Sequence, residues 1–158
     1  MTQARPTGPI GGVDPDDTPG EGMEIRLRLS SVEVERDRGS HAHVIVELEL
    51  PDRTARGEAD GVGTETVELR LAAVATLDAI HSAIGKIRFR LLGIKRIHAF
   101  DADVILVVLQ EHEGDARRRF VGAVPVRDTL VHGAAGAVLD ATNRVLVGPP
   151  EAEPDGIR

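Results

Sequence analysis

Apolar and polar residues alternate from Ile25 through Arg26, Leu27 and Arg28 to Leu29, and the apolar phase then slips across Ser30-Ser31 to Val32 and Val34. Alternation sends every second side chain to one face of a strand, so a one-residue slip predicts a bulge or break. The same alternation (Ile87, Phe89, Leu91) and the same slip (Leu92, Ile94) return later in the chain. Behind each copy come runs at 44–50 and 104–109, joined across Pro51-Asp52 and Glu113-Gly114-Asp115 to further strand-like segments at 54–59 and 117–126. These are hairpin signals. Val44, Val46, Leu48 and Leu50 share one face while Glu47 and Glu49 turn to water. The run 104–109 is apolar on both faces, which predicts a strand central in the sheet or beneath a subunit contact.

Each copy closes on a helical pattern. Leu69, Ala73, Leu77, Ile80 and Ile84 recur at spacings of three and four, and the second helix repeats them with Val131, Ala135, Leu139, Thr142 and Leu146. One apolar stripe per helix follows. Thr64 and Asp128 are placed to cap the two N-termini, and Gly85 to cap the first C-terminus. Gly133 and Gly136 each cost about 1 kcal/mol against Ala inside a helix, which suggests close backbone approach.

Laying residue n over residue n + 62 superposes these elements. Ile25, Arg26, Arg28 and Leu29 meet Ile87, Arg88, Arg90 and Leu91; Ala72, Ala73, Ala75, Leu77, Asp78 and Ala79 meet Ala134, Ala135, Ala137, Leu139, Asp140 and Ala141. The chain reads as two tandem βββα repeats, about 25–85 and 87–147, in one α+β domain over 24–147. The expected architecture is a mostly antiparallel sheet with two helices packed on one face and a pseudo-twofold axis between the halves. Burying the remaining face and edges against a second copy makes a homodimer the expected state.

Composition narrows the function. At 158 residues one domain is the default, and zero Cys excludes disulfide frameworks, thiolate zinc sites and cysteine nucleophiles. Residues 1–23 hold five Gly, four Pro and four acids against one Arg. Residues 148–158 hold three Pro and three acids against one Arg. Both read as disordered acidic tails. They carry −3 and −2 of the net −7, leaving −2 on the core. Acidity argues against nucleic acid or anionic membrane as partners. No apolar segment marks a signal peptide or membrane span, so a cytoplasmic location is expected.

Candidate chemistry is sparse. His41 and His43 leave one strand face together, but no third ligand is fixed near them, and polar residues opening a strand explain them more simply. Glu111-His112-Glu113 falls at a turn, where solvated charge is the ordinary account. His81 and His132 lie beside the apolar stripes without an assigned role. No Ser sits in a G-x-S-x-G context. Gly61-Val62-Gly63 precedes the first helix without a phosphate-loop pattern, and a strand-to-helix turn needs the same glycines. Arg117-Arg118-Arg119 lacks aromatic residues for stacking bases. No catalytic set, metal site or cofactor is expected. What remains are the helix N-termini at 63–66 and 127–129, where free amides can hold a carboxylate or phosphate.

The duplicated βββα order, together with Val121-Gly122-Ala123-Val124, Asp128-Thr129-Leu130 and the run Ala137-Val138-Leu139-Asp140-Ala141-Thr142-Asn143-Arg144, resembles the C-terminal allosteric and dimerisation domain of 2-isopropylmalate synthases. The resemblance covers roughly 25–147 and is best over 94–146. It implies a stand-alone, non-enzymatic regulatory module, dimeric, binding a small effector such as an amino or keto acid between its two units and acting on a partner protein. The implied ligand residues are Gly61, Gly63, Thr64, Asp128 and Thr129. The chain departs from the family where Thr64-Glu65-Thr66 replaces a turn containing Pro and Asp-Ala, and where Asp128-Thr129-Leu130 stands for Thr-Asp-Ile. With no synthase barrel in the sequence, no synthase activity is implied. The alternative is a pure interaction domain that kept the dimerising sheet and lost the pocket; a small enzyme of unknown type is the least favoured.

Overall fold

The computed structural model describes residues 25–112, 115 and 117–146. Both segments read as disordered tails, and Glu113-Gly114 of the second hairpin turn, lie outside the described residues. The order is β1 (Arg28–Arg36), β2 (His41–Glu49), β3 (Thr54–Val62), α1 (Glu65–Ala83), β4 (Phe89–Ala99), β5 (Ala102–Glu111), β6 (Arg119–Pro125) and α2 (Leu130–Leu146). This is βββα twice, the α+β fold that the pattern predicts. The duplicated phase slip is a duplicated irregularity of register, between Leu29 and Ser31 against β2 and between Leu91 and Gly93 against β5. Every strand pairing is antiparallel, and the strands divide into two three-stranded sheets, β1-β2-β3 and β4-β5-β6, in place of one continuous sheet. β5 is central in its sheet. β3 runs three residues past the expected 59, while β6 is shorter than 117–126.

The two helices lie side by side. α1 packs on β2 and β3 of its own sheet and also touches β4; α2 packs on β5 and β6 and also touches β1. These reciprocal crossings are the mark of the pseudo-twofold. They also explain why the expected single stripe is too narrow. α1 buries Leu71, Ala72, Ala75, Thr76 and Ala79 in addition to Leu69, Ala73, Leu77 and Ile80. In α2 only His132 and Arg144 are exposed. A helix apolar nearly all round is one with protein on several sides. Thr76 and Thr142, both buried, return their hydroxyls to the carbonyls of Ala72 and Val138. The inner rows of both sheets and both helices form one core, with Val44, Val46, Leu48, Ile105, Val107 and Leu109 at its walls.

Close packing is set by a duplicated glycine. A Cβ on Gly57 would stand 2.0 Å from the Ala75 carbonyl oxygen, and one on Gly122 would stand 2.0 Å from that of Ala137. Third strand and helix therefore touch backbone to backbone through Ala75 and Ala79 in one half and Ala137 and Ala141 in the other. Beside each contact an aspartate ties the strand to the helix. Asp78 accepts the Glu58 amide at 3.1 Å, and Asp140 accepts the Ala123 amide at 3.0 Å. Of the helix glycines, a Cβ on Gly133 would stand 3.1 Å from the Ile105 side chain, whereas one on Gly136 would have ordinary room.

Three caps differ from expectation. Thr64 takes the N-cap position of α1 but its side chain makes no capping bond. At α2 the hydroxyl of Thr129, not the Asp128 carboxylate, accepts the His132 amide at 3.2 Å. α1 ends at its C-cap Ile84, whose amide bonds to Ile80; Gly85 follows in the position where a helix-ending glycine stands, but without the left-handed φ of that motif.

The halves differ on their outer sheet faces. Across β2 the outward row is His43, Ile45, Glu47 and Glu49; the matching row of β5 is Val104, Leu106, Val108 and Gln110. On the flanking strands Glu33 and Glu35 correspond to Lys95 and Ile97, and Glu58 and Asp60 to Ala123 and Pro125. The first face is acidic, whereas the second is apolar along its central strand and carries the cations Arg90, Lys95 and Arg119 on its flanking strands.

Candidate functional site: a cavity between the helix N-termini

The beginning of each helix opens on a cavity of about 550 Å³ lined by Val32, Val34 and Arg36 of β1, Gly63, Glu65 and Glu68 at the start of α1, and Thr129, Leu130 and Val131 at the start of α2. β1 reaches it because its inner face is crossed by α2, and α1 because β3 turns into it through Gly63, whose amide bonds to the Ser40 carbonyl at 2.7 Å. One wall is aliphatic, formed by Val32, Val34, Leu130 and Val131. The other is polar.

The polar wall centres on Arg36 and Glu68. Arg36 donates from Nε to Glu68 Oε1 and from Nη2 to Oε2, both at 2.7 Å, a planar two-point pair. Glu68 is only 7% exposed, while the Arg36 side chain reaches solvent. The hydrogen bond from Arg36 holds Glu68 below its ordinary carboxyl range, against the opposing effect of burial, and Glu68 in turn raises Arg36. At the rim Glu65 accepts from Arg96 Nη1 at 2.9 Å, and Arg96 also donates to Asp103 at 2.8 Å, so a charged chain links α1 to the second sheet. Two acids in the first turn of α1 suit the positive end of its dipole.

The residues singled out by sequence are distributed unevenly. Gly63 and Thr129, from the two halves, line this one cavity. Asp128 lines a neighbouring hollow of about 290 Å³ with Val124, Pro125, Arg127, His132, Gly133 and Gly136. Gly61 lies within β3, its α-carbon facing Leu71 and Val67, and Thr64 lines neither space. Arg36 and Glu68 were not legible, since 32 residues separate them; the one local sign is an acid beside Leu69 on the buried side of a helix.

The other candidates take structural places. His43 Nε2 lies 3.3 Å from Glu58 on the acidic outer face, and among the described residues no group of three His, Asp or Glu side chains could hold a metal ion. Glu111, expected to be solvated, is 2% exposed and accepts from Arg118 Nε at 2.8 Å; that arginine also lies 5.9 Å from the Phe120 ring centre. His81 is half-buried, and its Nε2 accepts the Phe89 amide at 2.9 Å. No described helix is long and apolar enough to cross a membrane.

Compared with known protein families and with curated proteins, the chain matches none.

Proposed function

We propose that this is a non-enzymatic regulatory module that binds a small metabolite in the cavity between its helix N-termini, acts as a homodimer and passes the signal to a partner protein. The observation that carries the reading is the convergence of both helix N-termini and β1 on one cavity with an aliphatic and a charged wall. Its chemistry suits a small zwitterion or acid with a branched aliphatic group. A carboxylate would lie against Arg36 and the first-turn amides of α1, which the Thr64 hydroxyl leaves uncapped. An ammonium would lie against Glu65 or Glu68, and the hydrocarbon against Val32, Val34 and Val131. Ligation that draws on both halves would tighten their contact, which is how occupancy would reach a partner. The likeness to the isopropylmalate synthase regulatory domain adds the same role and ligand class.

One observation favours a second reading, an interaction domain without a ligand. Arg36 already spends two donors on Glu68, so the cavity's cation is committed within the fold.

Thermal denaturation against a panel of amino acids, 2-keto acids and nucleotides separates the two. A ligand that binds only the native state, at 100 times its Kd, adds about 2.7 kcal/mol. The expected result is a dose-dependent rise with a branched-chain amino or keto acid, abolished by Val131→Glu and weakened by Arg36→Ala. No shift across the panel overturns the effector reading in favour of the interaction domain.

A further inference from the structure

We infer that the outer face of the β4-β5-β6 sheet is the surface on which a second copy of this chain docks, face to face and with the two β5 strands antiparallel. The inference is independent of the cavity and of any ligand.

The two halves supply their own control. At matched positions the first sheet presents Glu33, Glu35, Glu47, Glu49, Glu58 and Asp60, a face made for water. In the second sheet none of these positions keeps an acid, and the central strand presents Val104, Leu106 and Val108 instead. These three are half-buried, and Leu92, at the bulge, and Val121 are exposed beside them. Within the whole chain the first sheet takes the same fold with acids at these positions, so the fold does not require an apolar outer face. Its apolar character belongs to contact.

Charge at the two ends identifies the occupant. Where β5 ends, Gln110 lies between Arg90 and Arg119, its partners on β4 and β6. About 30 Å away, nine residues back along the strand, the tip of the β4-β5 hairpin holds Phe100 and Asp101. Phe100 is fully exposed, and both residues have positive φ, 53° and 58°. Turning one copy by a twofold axis through Leu106 brings the Phe100-Asp101 tip of each over the arginine end of the other. There the carboxylate meets guanidinium and the ring meets cation. The opposite stacking, first sheet on second, would desolvate the acids against Val104, Leu106 and Val108 and would propagate as an open chain. Three strands over seven residues, with the tips added, cover on the order of 1,000 Å² for the pair, the floor of a specific interface.

Sedimentation velocity and light scattering over a wide concentration range test this. The expected result is a monomer-dimer equilibrium with no higher species. Leu106→Glu, on the outer face, should raise the dissociation constant more than about thirtyfold. Asp101→Arg should raise it about tenfold, and adding Arg119→Asp in the same chain should restore it, since both ends are then exchanged. Asp101 and Arg119 are exposed, so these variants keep the fold, which circular dichroism verifies. A wild-type monomer at all concentrations, a dimer indifferent to Leu106→Glu and to Asp101→Arg, or a ladder of larger species each overturns the inference.

Discussion

Gly57 and Gly122 are the two described positions where one added methyl group would come within 3.0 Å of backbone atoms. Gly57→Ala or Gly122→Ala must push β3 or β6 off its helix, and each should cost at least about 3 kcal/mol by urea denaturation. Gly85→Ala is the matched control. Nothing lies within 4 Å of its added carbon, and the change should be neutral or stabilise by up to about 1 kcal/mol. His81 sets a pH dependence of known sign. It accepts the Phe89 amide only as neutral imidazole, and burial first, then the charge of Arg88, hold its pKa below the ordinary value. Above about pH 6.5 it is neutral in both folded and unfolded chains. As pH falls from there through the lowered folded value, the unfolded chain takes up the proton first, and stability declines. Comparing Tm between pH 8 and about pH 5 for wild type and His81→Gln should show the steeper acid loss in the wild type.

At the level of the element, the β4-β5 hairpin is built against local preference. Its two-residue turn needs positive φ at both positions, for which Asn-Gly is favoured, yet it holds Phe100-Asp101. Replacing the pair by Asn-Gly should stabilise the monomer by about 1 kcal/mol in urea while weakening dimerisation in the sedimentation assay. A gain in both quantities would separate the turn from the interface. The β1-β2 turn carries a single non-glycine positive φ, at Ser40, and is tied by Asp37, which accepts the amides of Gly39 and His41 and whose carboxyl is held below the usual range mainly by the His41 amide.

The same scale shows what could be read from sequence. Bulges at Leu29-Ser31 and Leu91-Gly93 were visible because a phase slip is local, as were the helices and the centrality of β5. The glycine contacts were not. The 62-residue offset that aligns the helices carries Gly57 to Arg119, and three extra residues in the second copy move its true counterpart to Gly122. A glycine in a strand also carries no sign of what faces it. The division into two sheets rests on whether β1 or β4 bonds sideways, a choice between edges that periodicity does not encode. Of the site, Gly63 and Thr129 were legible as helix beginnings, whereas Arg36 and Glu68 meet only through the fold.

For the whole molecule, the crossings of α1 to β4 and α2 to β1 make each half incomplete. Residues 25–85 alone would leave β1 uncovered where α2 should lie, and that fragment should be unfolded by circular dichroism. Mixing it with 86–158 should recover helix and strand signals together, and a folded isolated half would contradict the interdependence. The tightest expression of the crossing is Asn143, whose side chain accepts from the Leu27 amide at 3.4 Å and donates to its carbonyl at 3.3 Å. That contact spans 116 residues. A ribosome adding 5–20 residues each second takes roughly 6–23 s to pass from one partner to the other. Throughout that interval the first strand waits for a helix that does not yet exist, so the newborn chain is open to aggregation at β1 until α2 is made.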